Sequence, residues 1–276
     1  MREENRIVHG LWIGDRLSLL EQLTITLFQN HGHEFHLWSY KPLENSPTGT
    51  VWRNAAEVLP ESSLFKFDGI PLAGIPDGGK GSLSHWSDQF QCKMLHEHGG
   101  IYSQMDIAVF APLDFESPYM FAPHTDRSIA PVVMKTPKGS DFAKTCYETL
   151  SSEINADTIH SKHWDCSMQK IMDVARKFDL NQSQYLLSKE EYWDLGTRKT
   201  GPFYNAEPPG KSVRVIHWSN ATNREYKNRP IRGSFYARLL EKSGLLAASD
   251  PALQSPTFEI RLRHAMLRLK KVFVSI

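Results

Sequence analysis

The chain has 276 residues and carries 32 Lys and Arg against 31 Asp and Glu, a formal net charge of +1. This near balance excludes the basic field that non-specific nucleic-acid binding requires, so nucleic acid is not an expected partner. The three cysteines show no CxxC spacing, which indicates reduced thiols in a reducing compartment. No window approaches the roughly 18 consecutive apolar residues of a membrane span, and the charged start lacks a signal-peptide core, so we expect a cytoplasmic protein.

The first part of the chain predicts a β-α-β unit. A β-prone run over 6–14 precedes a helical stripe of apolar residues over 15–32, and a second strand follows over 34–40. This order favours a parallel sheet with a right-handed crossover. A short helix and turn over 54–65 and a Gly/Pro-rich loop over 69–82 complete this part.

The remainder of the chain continues to alternate between helices and strands. The clearest helix covers 83–100, with its apolar face formed by Trp86, Phe90, Met94 and Leu95. We further predict a bent strand or strand pair over 101–113, a strand over 129–137, helices over 140–154 and 165–178, and a strand over 213–218. The economical interpretation is one α/β domain over 1–245, followed by a tail over 246–276.

The segment 257–276 is basic and amphipathic, with apolar residues on one side of a predicted helix and Arg and Lys around the rest. One interpretation is a helix that lies on an anionic membrane, which would hold the protein peripherally at the inner face of the plasma membrane. The other is a helix packed on the domain with a solvated basic face. Both interpretations stay open at this point.

A single carboxylate interrupts the apolar run that follows Gly99 and Gly100. Asp106 stands within "IYSQMDIAVFAPL", and burying a lone carboxylate is costly unless a cation or hydrogen-bond donors compensate it. We therefore expect Asp106 either to lie at a strand end that faces a cleft or to hold a ligand.

Several segments resemble, in order, the motifs of one enzyme family. "WSDQFQCKMLHEHGGIYSQMD" resembles S-D-x-x-R followed by G-G-x-Y-x-D-x-D. This pattern is found in the sugar-binding-region DXD group of glycosyltransferases (family 32-like), which includes yeast initiating mannosyltransferases and clostridial toxin glucosyltransferase domains. "IVHGLWIG", "FHLWSY", "VVMKTPKGSDF" and "FYNAEPPGKSVRVIHWSN" resemble further motifs, so the resemblance covers roughly residues 6–225.

The resemblance implies a GT-A-type nucleotide-binding α/β sandwich with a mostly parallel central sheet, and we expect a C-terminal amphipathic helix after it. It also implies retaining transfer of a hexose from a nucleotide sugar. We favour a UDP-sugar over GDP-mannose as donor, and a bacterial surface glycan such as capsule or lipopolysaccharide, or a lipid-linked glycan, as acceptor. The alternatives are a non-catalytic sugar-nucleotide or glycan-binding homologue and a membrane-surface scaffold.

The resemblance also assigns roles around the D-x-D motif. Asp106 matches its last Asp, which would bind Mn²⁺ or Mg²⁺ on the donor diphosphate. His217 matches the closing His and would complete the metal or diphosphate site, and Asn220 would add an amide donor. Tyr102 belongs to the same motif and is expected at the donor site. Gln104 replaces the first Asp, which removes a negative charge and lowers the expected metal affinity, so a metal-independent site is the alternative.

Four further residues are predicted to contact the nucleotide sugar. Trp12 matches the family Trp that stacks on the nucleobase, although core packing is the competing use. Asp88 keeps the Asp of S-D-x-x-R, whereas Gln91 replaces its Arg. Asp165 opens a predicted helix and is a candidate catalytic residue toward the sugar or acceptor, although helix capping explains it equally well.

Overall fold

The computed structural model describes residues 1–71, 76–124, 128–195, 210, 212–220 and 227–257. Its strands and helices, in chain order, are β1 (Ile7–Leu11), α1 (Leu19–Asn30), β2 (Glu34–Ser39), β3 (Val51–Asn54), α2 (Ser84–His98), β4 (Gly100–Ser103), β5 (Ile107–Val109), β6 (Met120–Pro123), β7 (Ile129–Thr136), α3 (Asp141–Glu153), α4 (Cys166–Lys177), β8 (Tyr192–Asp194), β9 (Val215–His217) and α5 (Phe235–Lys242).

Six strands form the central sheet in the order β3-β2-β1-β4-β7-β6. The four strands from β3 to β4 run parallel to one another, and β7 and β6 add two antiparallel pairings. A second sheet has the order β5-β9-β8, with β5 antiparallel and β8 parallel to β9. The predicted mixed α/β fold with a mostly parallel central sheet is confirmed, and this architecture is consistent with a GT-A-type sandwich.

Neighbouring residues of the central strands alternate between two hydrophobic clusters, as the pleat of a sheet requires. Ile101 and Val133 belong to the first cluster, which includes residues of α1, α5 and the second sheet. Tyr102 and Met134 belong to the second cluster, which includes residues of α2, α3 and α4. The central sheet is therefore buried on both faces, which is the arrangement expected for parallel strands.

Local sequence signals explain where the two helices nearest the site begin or end. α1 starts with a capping box, in which the Ser18 side chain accepts from the N3 backbone and Glu21 accepts from Ser18 N at 2.6 Å. α2 ends at Gly99, whose φ of 70° is favourable for glycine and where a Cβ would lie 2.4 Å from Lys138 N. The four apolar residues predicted to form the inner face of α2 are all buried, as expected.

The bent strand or strand pair predicted over 101–113 is a strand pair, in which β4 joins the central sheet and β5 joins the second one. One stretch differs from the sequence prediction. The helix expected over 54–65 is instead a pair of short 3-10 turns, Ala55–Glu57 and Glu61–Ser63. Pro60 immediately precedes the second turn, and proline lacks the N–H that a continuous α-helix would need there.

Of the C-terminal helix predicted over 257–276, every residue after Thr257 lies outside the described residues. Leu246 and Leu253, which the sequence interpretation assigns to the tail, are buried in the first cluster. A β-bridge between Ile231 and Gln254 holds this part of the chain against the segment before α5. None of the helices in the described ranges is both long and apolar enough to cross a bilayer.

Candidate functional site

Asp106 lies where the chain crosses from the central sheet to the second sheet. The crossing consists of Gln104, Met105 and Asp106, between the last residue of β4 and the first of β5. Main-chain hydrogen bonds fix both ends of it, from Gln104 N to Val132 O at 2.8 Å and from Trp218 N to Asp106 O at 2.9 Å. Asp106 is buried at this junction, directly before the first residue of β5.

The segment after β9 compensates the buried Asp106 carboxylate. The Asn220 N–H donates to Asp106 Oδ2 at 2.7 Å, and His217 Nε2 lies 3.3 Å from the same oxygen. The antiparallel pairing of β5 with β9 produces this contact, because Ile107 is the partner of His217. Burial alone would raise the pKa of Asp106, but His217 and the Asn220 N–H hold it below its ordinary value. Asp106 is therefore ionised at neutral pH.

His217 lies between two carboxylates. Its Nδ1 is 3.1 Å from Asp194 Oδ1, which also accepts a 2.9 Å hydrogen bond from Ser219 Oγ. Burial alone would lower the pKa of His217, whereas Asp106 and Asp194 together raise it to about 10. The imidazole is thus protonated at neutral pH and donates from both ring nitrogens.

Trp12 follows β1 directly, next to the parallel strand β4 that leads into Gln104 and Asp106. The carboxyl ends of β1 and β4 lie at one edge of the sheet, where ligands bind in open α/β folds. The half-buried Trp12 indole donates to Arg16 O at 3.1 Å and packs against the first cluster. Both predicted uses of Trp12, ligand stacking and core packing, thus remain compatible with its position.

The side-chain ammonium group of Lys227, from the C-terminal part of the chain, lies over the Trp12 ring. Lys227 Nζ lies 5.2 Å from the ring centroid and 3.0 Å from Glu21 Oε1, whose side chain is 1 % exposed. Tyr236 in α5 donates to Lys227 O at 2.8 Å. Sequence reasoning missed Lys227, because it lies outside every motif and more than 200 residues from its partners.

The second group of predicted residues lies on α2 and α4. Asp88 accepts a short hydrogen bond from Ser167 Oγ, and burial raises its pKa to about 7 although that hydrogen bond acts in the opposite direction. His85 contacts the same hydroxyl, with Nδ1 2.8 Å from Ser167 Oγ. Asp165 is at the N-cap position of α4, makes no side-chain cap bond, and accepts from Gln169 Nε2 at 3.3 Å. Asp88 thus contacts the first turn of α4, the helix whose N-cap residue is Asp165.

Two predicted donor-site residues have structural partners. Gln91 is buried, and its Nε2 donates to Pro131 O at 2.9 Å. Tyr102 is buried in the second cluster, and burial raises the pKa of its hydroxyl above the ordinary value. The negative charges of Asp88 and Asp106 raise that pKa further.

These contacts bear differently on the two residues predicted to bind a divalent cation, Asp106 and His217. Asp106 fits as a ligand, since its Oδ1 accepts no hydrogen bond from the residues that the structure describes. His217 does not fit in this arrangement, because each ring nitrogen faces a carboxylate oxygen and no lone pair is left. Within the described ranges, no three His, Cys, Asp or Glu side chains group closely enough to hold a metal. The cation therefore stays a prediction.

Asp106 and Asp194 place two carboxylates on one imidazolium, that of His217. The Asp106 carboxylate can accept a hydrogen bond from a ligand hydroxyl or bind a cation.

Comparisons with known proteins identify no close relative. No family model matches the chain, and no curated protein matches it. Among solved structures, the PaToxG glycosyltransferase is similar, with a TM-score of 0.44 and 12 % identity over 66 % of this chain and 71 % of that chain. A likeness this distant bears on neither substrate nor mechanism.

Proposed function

We propose that the protein is a glycosyltransferase that transfers a hexose from a nucleotide sugar with retention at the anomeric carbon. A UDP-sugar is favoured over GDP-mannose, and the acceptor is a bacterial surface glycan or a lipid-linked glycan. The observation that supports this proposal is the contact of the buried, ionised Asp106 with His217 and Asn220. This contact joins two of the segments that resemble family motifs, which lie more than 100 residues apart in sequence.

In this proposal, different residues bind the nucleobase, the diphosphate and the sugar of the donor. Trp12 stacks on the nucleobase, which positions the donor at the edge of the sheet. Asp106 and Asn220 face the diphosphate end, and a Mn²⁺ or Mg²⁺ ion bound there would offset the charge of the leaving group. Asp88 and Asp165 lie at the sugar end. No side chain acts as a strong base, because the leaving phosphate accepts the proton of the acceptor.

Nucleotide binding is the first test of this proposal. Calorimetry with UDP, GDP and CMP, each with and without Mn²⁺, should show binding of UDP or GDP. Trp12→Ala should weaken that binding by about 1–3 kcal/mol, a factor of roughly 5 to 150, because a stacking contact is lost. Trp52→Ala is the matched control, since Trp52 is 43 % exposed on the edge strand β3. Equal losses in both variants would contradict a stacking role for Trp12.

The runner-up is a non-catalytic nucleotide-sugar-binding homologue. It is favoured by the two Gln residues that replace charged motif residues, Gln91 and Gln104, and by the buried hydrogen bond that occupies the Gln91 amide. Hydrolysis and transfer assays with the tightest-binding donor separate the two functions. Binding without any turnover, with Mn²⁺ and acceptor present, would support the homologue.

We also propose that the basic segment 257–276 binds an anionic membrane on the cytoplasmic side, where a lipid-linked acceptor would be found. Five Lys and Arg residues lie between positions 261 and 271, and each contributes about 1 kcal/mol at most near such a surface. Deleting residues 258–276 should release the protein from anionic liposomes while nucleotide affinity stays unchanged. Unaltered liposome binding, or unfolding of the shortened chain, would identify the segment as a packed structural helix.

A further inference from the structure

Asp194 lies on the opposite side of the His217 ring from Asp106. The parallel pairing of β8 with β9 makes Asp194 the register partner of His217, and Leu195 N donates to His217 O at 3.0 Å. The side chains meet at the same place, with Nδ1 3.1 Å from Asp194 Oδ1. Backbone and side chain therefore both hold Asp194 beside the imidazole.

Ser219 connects the same carboxylate to the segment that contacts Asp106. Its hydroxyl donates to Asp194 Oδ1, the oxygen that also faces His217. Its φ of 53° lies in the left-handed region, which costs free energy for any residue except glycine. Such strain persists where surrounding contacts over-determine it. Here the strained residue directs its own hydroxyl to Asp194 and the next N–H, that of Asn220, to Asp106.

We propose that Asp194 is a positioning residue that fixes the orientation of His217, and that Ser219 in turn fixes Asp194. The inference rests on the proposed function, in which Asp106, the partner of His217, belongs to the diphosphate end of the site. A half-turn of an imidazole ring about χ2 exchanges Nδ1 with Cδ2 and Nε2 with Cε1, and thereby turns both nitrogens away from their partners. An acceptor on Nδ1 removes that freedom and keeps Nε2 directed at Asp106.

Nuclear magnetic resonance of the full chain tests the orientation without any ligand. The wild-type protein should show a slowly exchanging proton signal from the Nδ1–H group of His217. This signal is assigned to His217 if it is absent from the His217→Gln variant. Asp194→Ala should abolish the signal or broaden it by exchange, because Nδ1 loses its acceptor. Asp194→Asn should retain it at a shifted position, since the amide oxygen still accepts. Ser219→Ala should retain it with faster exchange.

Calorimetry with UDP and GDP, in the presence of Mn²⁺, tests the consequence for the site. Asp194→Ala should bind the nucleotide about tenfold more weakly than the wild type, and Asp194→Asn should lie between them. Asp173→Asn is the matched control, because Asp173 pairs with Arg176 on the exposed side of α4. Its affinity and its His217 signal should equal those of the wild type.

The outcomes separate the positioning role from the proposed function. An unchanged ring signal in folded Asp194→Ala would overturn the positioning role, whatever the nucleotide affinities are. If neither UDP nor GDP binds the wild-type protein, the proposed function fails while the ring signal still decides the role of Asp194. If Asp194→Ala does not fold, the comparison of Asp194→Asn with Ser219→Ala decides it, since unchanged signals in both contradict the role.

Discussion

Replacing Asp106 with Asn removes the charge that faces His217 and preserves the shape of the side chain. The amide oxygen can still accept the Asn220 N–H, which donates to Asp106 at 2.7 Å. The main loss is the charge-assisted contact with His217 Nε2 at 3.3 Å, and hydrogen bonds to charged groups contribute about 1.5–3 kcal/mol. Asp106→Ala also leaves the buried His217 without this partner, so we expect it to cost about 3–5 kcal/mol.

Thermal unfolding followed by circular dichroism at pH 7 measures this loss. For a domain of this size each kcal/mol shifts Tm by about 2–4 °C, so Asp106→Asn should lower Tm by roughly 3–12 °C. The variant should still unfold cooperatively, and it should lose donor hydrolysis completely, because an amide does not replace the charge of a metal-binding carboxylate. Asp173→Asn, at an exposed ion pair, should shift stability by less than about 0.5 kcal/mol.

A double-mutant cycle with His217→Gln isolates the contact itself. The two residues touch, so their substitutions should be non-additive, with a coupling of about 1 kcal/mol or more. Additive effects, or an Asp106→Asn variant as stable as the control, would refute the ion pair as the compensation for the buried carboxylate. Full turnover by the folded variant would refute the assignment of Asp106 to the site.

Three further predictions follow from individual side chains. Gln104→Asp adds a carboxylate two residues from Asp106 and should tighten Mn²⁺ binding in calorimetry, whereas unchanged or weaker binding would mean that residue 104 does not face the cation. Lys227→Met leaves the buried Glu21 carboxylate without its counter-charge and should lower the free energy of unfolding in urea by about 3 kcal/mol. Adding Glu21→Gln to that variant should recover most of the loss, because the buried charge is removed. Burial lowers the pKa of His9 from 6.5 to about 3, so the unfolded chain binds the proton more tightly. Stability should therefore fall as the pH drops below 6.5, more steeply for the wild type than for His9→Gln, and parallel curves would contradict this.

Helices were predictable from sequence where a long apolar stripe and clear end signals coincide. α2 satisfies both conditions, because its apolar residues recur at helical spacing and Gly99 ends it. β3, β6 and β8 have three or four residues each and were not predicted, since such strands are too short to show a period of two. The equally short β4, β5 and β9 were predicted because they lie within longer apolar runs. A strand pair over 101–113 was one of the two predictions for that stretch, but the assignment of β4 and β5 to different sheets was not predictable, because both strands are apolar.

The candidate site shows the same contrast. Asp106 was identifiable, because a carboxylate within an apolar run is costly and requires compensation. Asp194 carries no comparable signal, since it ends a three-residue strand and meets His217 only through the pairing of β8 with β9. A partner that depends on the register of two short strands can be recognised only after those strands are placed in space.

The contact of Lys227 with Trp12 and Glu21 has a consequence for synthesis on the ribosome. Trp12 and Glu21 leave the ribosome well before Lys227, which is added more than 200 residues later. Until then the Glu21 carboxylate can be buried only without a counter-charge, which disfavours final packing of α1. A prematurely released chain that ends before position 227 therefore lacks a stabilised Trp12 and is more exposed to proteases than the finished protein.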